Sequence, residues 1–167
     1  MTAKDLQELY DYGHWANRKL FEGLSQITPE EFTRSVAGSY GSIRNSLVHA
    51  ISAEWGWLDR CGGPQRGARL KADDYPTLQS VIELSTKVEG DGREFLSNLT
   101  DADLSRIVEF NFGGPESHSM TVGQILRHGA IHSVHHRGQV ALLCRMLGHA
   151  PGNFDALFYY AASAAVR

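Results

Sequence analysis

Between Thr121 and Leu147 apolar residues recur at steps of three and four. The run opens on the capping-box pattern Thr121-Val-Gly-Gln124 and is closed by Gly148 and Pro151. A segment of this kind is satisfied only as a long amphipathic helix buried along one side, so other helices must cover it. The rest of the chain supplies them. Leu6, Leu9, Gly13, Ala16, Leu20, Leu24 and Ile27 keep the same spacing behind a Thr2/Asp5 capping pair, which predicts a helix over about 3–26. Thr28-Pro29-Glu30-Glu31 starts a further short helical turn. Ser42 to Arg60, set between Gly38/Gly41 and Cys61-Gly62-Gly63-Pro64, is a second principal helix, and Thr77 to Leu99 a third. Val108, Phe110 and Phe112 alternate with Ile107, Glu109 and Asn111 ahead of Gly113-Gly114-Pro115, the pattern of a short β-hairpin or extended loop over 105–120. Asn153 can cap a last, Ala-rich helix through Phe154, Leu157, Phe158 and Ala161. The expected fold is all-α: a four-helix bundle with a short hairpin before helix 4 and a short C-terminal helix, forming one domain over 1–167.

Composition narrows the function classes. With 42% hydrophobic and 21% charged residues the chain has enough apolar surface for a core, which excludes a disordered chain. A net charge of −3 without any basic block predicts no nucleic-acid partner. No run approaches the ~18 apolar residues of a membrane span, and the first residues lack a leader pattern, so a cytoplasmic protein with no membrane partner is expected. Cys61 and Cys144 are too few and too distant for a disulfide framework or a paired-thiol zinc site, and are expected to be reduced and semi-buried.

The conspicuous feature is histidine: His128, His132, His135 and His136 fall within nine residues of the long helix. At ~100° per residue His132 and His136 lie about 40° apart and straddle the direction of the apolar Ile125 and Leu143. Two imidazoles at i and i+4 on one face can meet the same cation. Eight histidines in this chain supply roughly 0.3 to 0.4 such pairs by chance, so on spacing alone a pair of satisfied core histidines is an equal reading. Position on an apolar stripe adds to the case, because a shared metal removes both the lost hydrogen bonds and the repulsion of two buried imidazolium ions. A third ligand must come from another helix. His49 is the best candidate, on a face with Ser42, Asn45, Ser46, Ser52, Ala53 and Gly56 whose small side chains leave room for a cleft. His128 and His135 point roughly 60° and 80° to one side, as neighbours rather than ligands. His14, His118 and His149 lack a partner at useful spacing and read as surface or packing residues. Glu54 lies ~140° round the helix from His49, a poor place for a general base. Trp55, Trp57, Tyr159 and Tyr160 read as core or interface residues. His-Glu-x-x-His, a Glu followed three residues later by His, and Gly-x-Ser-x-Gly do not occur, against a zincin, a di-iron carboxylate bundle and an α/β-hydrolase elbow respectively.

These residues carry a family resemblance over nearly the whole chain. Tyr12-Gly-His-Trp15-Ala16-Asn17, Ser42-Ile-Arg-Asn-Ser-Leu-Val-His49 with Ala53-Glu54-Trp55, and His128-Gly-Ala-Ile-His132-Ser-Val-His135-His136-Arg137-Gly138-Gln139 resemble the DinB-like, or YfiT-like, metal-binding four-helix bundles. The resemblance implies a divalent cation, zinc or nickel, held by His49, His132 and His136 with positions left open to water or substrate. It further implies a thiol-dependent transferase or isomerase acting on a small molecule with a low-molecular-weight thiol such as bacillithiol, mycothiol or glutathione, and a homodimer. A metal-dependent hydrolase and a non-catalytic metal-binding stress-response protein are the alternatives.

Overall fold

The computed structural model describes residues 1–111 and 114–164. Helix α1 runs Ala3–Leu24, α2 Pro29–Thr33, α3 Ile43–Arg60, α4 Leu78–Ser97, α5 Val122–Met146 and α6 Ala156–Ala164. The caps fall where the sequence puts them. Thr2 with Asp5, Thr28 with Glu31, and Thr121 with Gln124 form reciprocal boxes, as does Thr77 with Ser80, and Ser42 accepts from the Asn45 N–H. Between α4 and α5 the expected hairpin forms: β1 (Ile107–Asn111) pairs antiparallel with β2 (Ser117–Thr121), with Phe110 opposite His118. Its inward residues Val108 and Phe110 pack on the core, while Phe112 and Gly113 lie outside the described residues.

α6 departs from expectation. It begins at Ala156, and Asp155 rather than Asn153 takes the capping bond, accepting from the Leu157 N–H at 3.0 Å. The reason is upstream: at Gly152 the chain is still turning over α1 with φ +83, and a Cβ on Gly23 would sit 2.4 Å from the Pro151 carbonyl carbon. Helix geometry resumes only after this close crossing.

α5 packs against α3 and α1, and α4 packs against the same two helices, so α1 and α3 face one another across the bundle. The core is divided. Leu20, Leu24, Ile43, Val81 and Val140 belong to one apolar cluster, and Leu6, Leu58, Val122, Ile125 and Leu126 to another. All of these have no exposed surface, and each contributes about 1.5–3 kcal/mol of burial. Both cysteines are completely buried, deeper than the semi-buried reading, because Cys61 ends α3 inside one cluster and Cys144 faces the other. Burial pushes the Cys61 thiol up to about 12, so it stays protonated and unreactive. Among the described residues no helix is long and apolar enough to cross a membrane.

Candidate metal centre

α3 and α5, packed side by side, bring together the three histidines that the sequence singles out. One ring nitrogen each from His49, His132 and His136 lies within 4.8 Å of the others. His132 Nε2 and His136 Nε2 are 3.1 Å apart, and the His49 ring centroid is 4.7 Å from that of His136. Two neutral nitrogens cannot both present lone pairs to each other without a proton or a cation between them. Ligand nitrogens ~2.0–2.1 Å from a tetrahedral ion are about 3.3 Å apart, close to this spacing. His49 Nε2 is buried with no hydrogen-bond partner, an orphan that a cation would satisfy. The residues present therefore fit a divalent ion.

The surroundings keep these rings available. Burial, reinforced by the neighbouring imidazoles, pushes His49 and His132 down to about 4; burial also lowers His136, partly offset by its bond to Gln139. Among the described residues no carboxylate joins the cluster to stabilise a proton on it. Gln139 fixes the tautomer: its Oε1 lies 2.7 Å from His136 Nδ1 and also accepts from Ser39 Oγ, while its Nε2 lies 2.9 Å from His135 Nε2. With the Gln139 carbonyl as acceptor, His136 Nδ1 carries the hydrogen and Nε2 offers its lone pair. Gln139 was not assigned a role from the sequence, although its place three residues beyond His136 makes the two side chains neighbours on one helix.

A cleft of about 460 Å³ opens on His49 and His132, with Ser52, Ala53 and Trp57 in its wall. Ser52 and Ala53 thus leave the room expected of them, and Trp57, buried as a core residue, also has a face on the cleft. Tyr40 stacks on His49 with ring centroids 3.8 Å apart and planes at 19°. The loop that holds it is built on positive φ at Gly38, Ser39 and Gly41, and Asn45 Nδ2 donates to the Tyr40 carbonyl. No helical periodicity could have announced this contact.

The remaining histidines separate as their directions suggest. His128 is exposed and stands edge-on to Trp57 at 4.7 Å; His135 is exposed and reaches His136 only through ring contact and Gln139. His149 pairs with Glu31 at 3.1 Å. His14 is a packing residue of a particular sort: its Nε2 lies 3.0 Å from Glu54 Oε1, spanning α1 and α3 in the bundle interior. Ser133 Oγ lies 3.4 Å from the other Glu54 oxygen, and buried Arg137 donates to Asn17 Oδ1 and the Gly13 carbonyl. This polar layer joins positions 40 and more residues apart, beyond the reach of local spacing. It also occupies Glu54, consistent with its poor standing as a general base.

A four-helix bundle in which three histidines converge from two adjacent helices is the class that fold and geometry define. The chain belongs to the DinB family, whose sequence model matches residues 1–165. It is 22% identical over 157 residues to the protein DinB of Bacillus subtilis, covering 91% of each, and 25% identical over 146 residues to the uncharacterized protein YizA of the same organism, covering 87% of this chain and 90% of that one. The crystal structure of a DinB-like protein from Bacillus cereus superposes with a TM-score of 0.72 at 23% identity, over 91% of this chain and 97% of the other. A second DinB-like structure, YjoA of Bacillus subtilis, gives 0.65 at 15% identity, over 89% and 95%.

Proposed function

We propose that this protein binds a divalent cation, zinc or nickel, through His49, His132 and His136, and uses it in a thiol-dependent transfer reaction on a small molecule. The observation that carries the reading is the convergence of three uncharged imidazoles, with no acid among them, two of which, His49 and His132, line an open cleft. A cation held there would supply Lewis acidity, lowering the pKa of a thiol so that thiolate is available at neutral pH. The chain's own parts have simpler tasks. His136 is held in one tautomer by Gln139, Tyr40 walls one side of His49, and the cleft leaves space for two reactants.

Thiol transfer is favoured over hydrolysis by what is missing from the wall. A hydrolase draws on a base for its water, whereas among the described residues no carboxylate lines the cleft and Glu54 is held by His14. An open cleft argues against a purely structural ion, whose coordination would be closed. The test is elemental analysis of protein purified without a polyhistidine tag. Wild type should hold one ion per chain, and His49→Ala, His132→Ala and His136→Ala should each lose it with the helical circular dichroism retained. Equal metal content in all four proteins would overturn the reading. Turnover of electrophiles only when a thiol is added would separate transferase from hydrolase.

The same reading includes a homodimer. Leu157, Phe158 and Tyr160 on α6, and Ile131, Leu142 and Met146 on α5, expose apolar side chains that a second copy would cover. Sedimentation of a dimer at micromolar concentration is the expected result, and a monomer would refute it.

A further inference from the structure

Three arginines stand at the cleft above the histidines: Arg60 at the end of α3, and Arg66 and Arg69 on the connection to α4. Among the described residues no acidic side chain lines the same wall, although the chain as a whole has 19 acidic residues against 16 basic ones. Positive charge is therefore concentrated here against the net charge of the molecule.

Arg66 is held in place for this position. Its Nη1 donates to the Ser52 carbonyl at 3.0 Å and its backbone N–H to Asp59 Oδ2 at 3.3 Å, which lays the guanidinium along α3. That is possible because residue 56 is glycine: a Cβ there would stand 2.6 Å from Arg66 Nη1 and 3.1 Å from its Cζ. The Nε of the same guanidinium is buried and has no hydrogen-bond partner, a costly state for a permanently charged group. Arg69 is exposed, and its charge is near enough to act on His49. Arg60 lies over the Trp57 ring at 5.0 Å and donates to the Gly56 carbonyl, so it contributes mainly its field.

We propose that the cleft binds a small molecule through a carboxylate or an equivalent oxyanion, held by Arg66 and Arg69 while its other end faces the three histidines. A guanidinium presents paired N–H groups whose geometry and charge match an oxyanion better than a neutral acceptor. The volume, about 460 Å³, is that of a small-molecule site. The anchor itself needs only the arginines; the role of the facing end rests on the metal reading above. In that reading, the thiol or its acceptor carries the negative charge.

The experiment compares three thiols of similar size by calorimetry on zinc-loaded protein: mercaptopropionate, mercaptopropanol and cysteamine. The anionic thiol should bind about tenfold or more tightly than the neutral one, with the cationic one weakest. Arg69→Gln and Arg66→Gln should each remove most of that advantage. Arg69 is exposed, so its variant keeps the test sound should Arg66→Gln disturb the fold. Equal binding of the anionic and neutral thiols, or an advantage that survives both substitutions, would overturn the proposal. Glutarate against pentanediol, titrated into chelator-stripped protein, reads the arginines without a metal. A protein that takes up no zinc yet prefers glutarate keeps this site and loses the metal reading; one that binds zinc but shows no preference for either anion keeps the metal reading and loses this site.

Discussion

Two sets of histidines lie inside this bundle, and they differ in what faces them. Across the bundle interior the Nε2 of His14 meets the carboxylate of Glu54, with Ser133 on the other oxygen, so this buried polar contact is made within the protein. At the cleft His49, His132 and His136 meet one another, the Gln139 amide and the rings of Tyr40, His128 and His135. In the first set a carboxylate from another helix faces the imidazole, although His14 Nδ1 makes no hydrogen bond and has Glu89 Oε1 4.0 Å away. In the second, His49 Nε2 and His132 Nδ1 make no hydrogen bond, two Nε2 atoms lie 3.1 Å apart, and among the described residues no acid joins the rings. Neither burial nor an unpartnered nitrogen therefore separates the two sets. The presence of a carboxylate does.

The largest effect should come from breaking the His14–Glu54 pair. Glu54→Leu strands His14 in the interior and should cost about 3 kcal/mol in urea unfolding. The double variant His14→Phe/Glu54→Leu should recover much of that loss. Equal stability of the single and double variants would show that the two side chains do not act as a unit. Next, Gln139→Ala removes the acceptor that orients His136 and should weaken metal binding ~10 to 100-fold by chelator competition, with His128→Ala close to wild type. A reversed order would mean that the cluster is oriented from the Trp57 side instead.

The smallest effect is a pH dependence of the metal-free protein. Unfolded imidazoles take up protons below about 6.5, whereas His49 and His132 stay neutral in the fold until about 4. The unfolded state then binds more protons, so stability is fully present above 6.5 and declines as pH falls from 6.5 toward 4. Urea midpoints measured across this window should drop, and His49→Leu should flatten the slope. Because burial lowers all three proposed ligands below the ordinary imidazole value, zinc affinity should weaken at lower pH than it would for exposed histidines.

Much of this was legible in the sequence because helices and their caps are local. Thr2, Thr28 and Thr121 mark starts that the structure reproduces, and the facing of His132 and His136 follows from the helical period. His49 could be proposed as their companion because small residues share its face. What stayed hidden depends on distant partners or on loops. The His14–Glu54 contact joins helices 40 residues apart, Tyr40 reaches His49 through left-handed backbone, and the start of α6 is delayed by the crossing at Gly23. Arg66 and Arg69 look like ordinary loop cations until Gly56 is seen to make room for one of them.

The histidines sit on packed helices, whereas Tyr40, Arg66 and Arg69 sit on connecting segments. Helix positions are tied to the core on every side, but connections accept insertion and substitution at little cost to the fold. On the proposed reading, the ligands of the ion and the groups that would select a substrate thus lie on separable stretches of chain. Exchange of the segments before and after α3 would then change which molecules the cleft admits while the histidines stayed in place, a division of labour that would let one scaffold diversify its ligands without relearning how to fold.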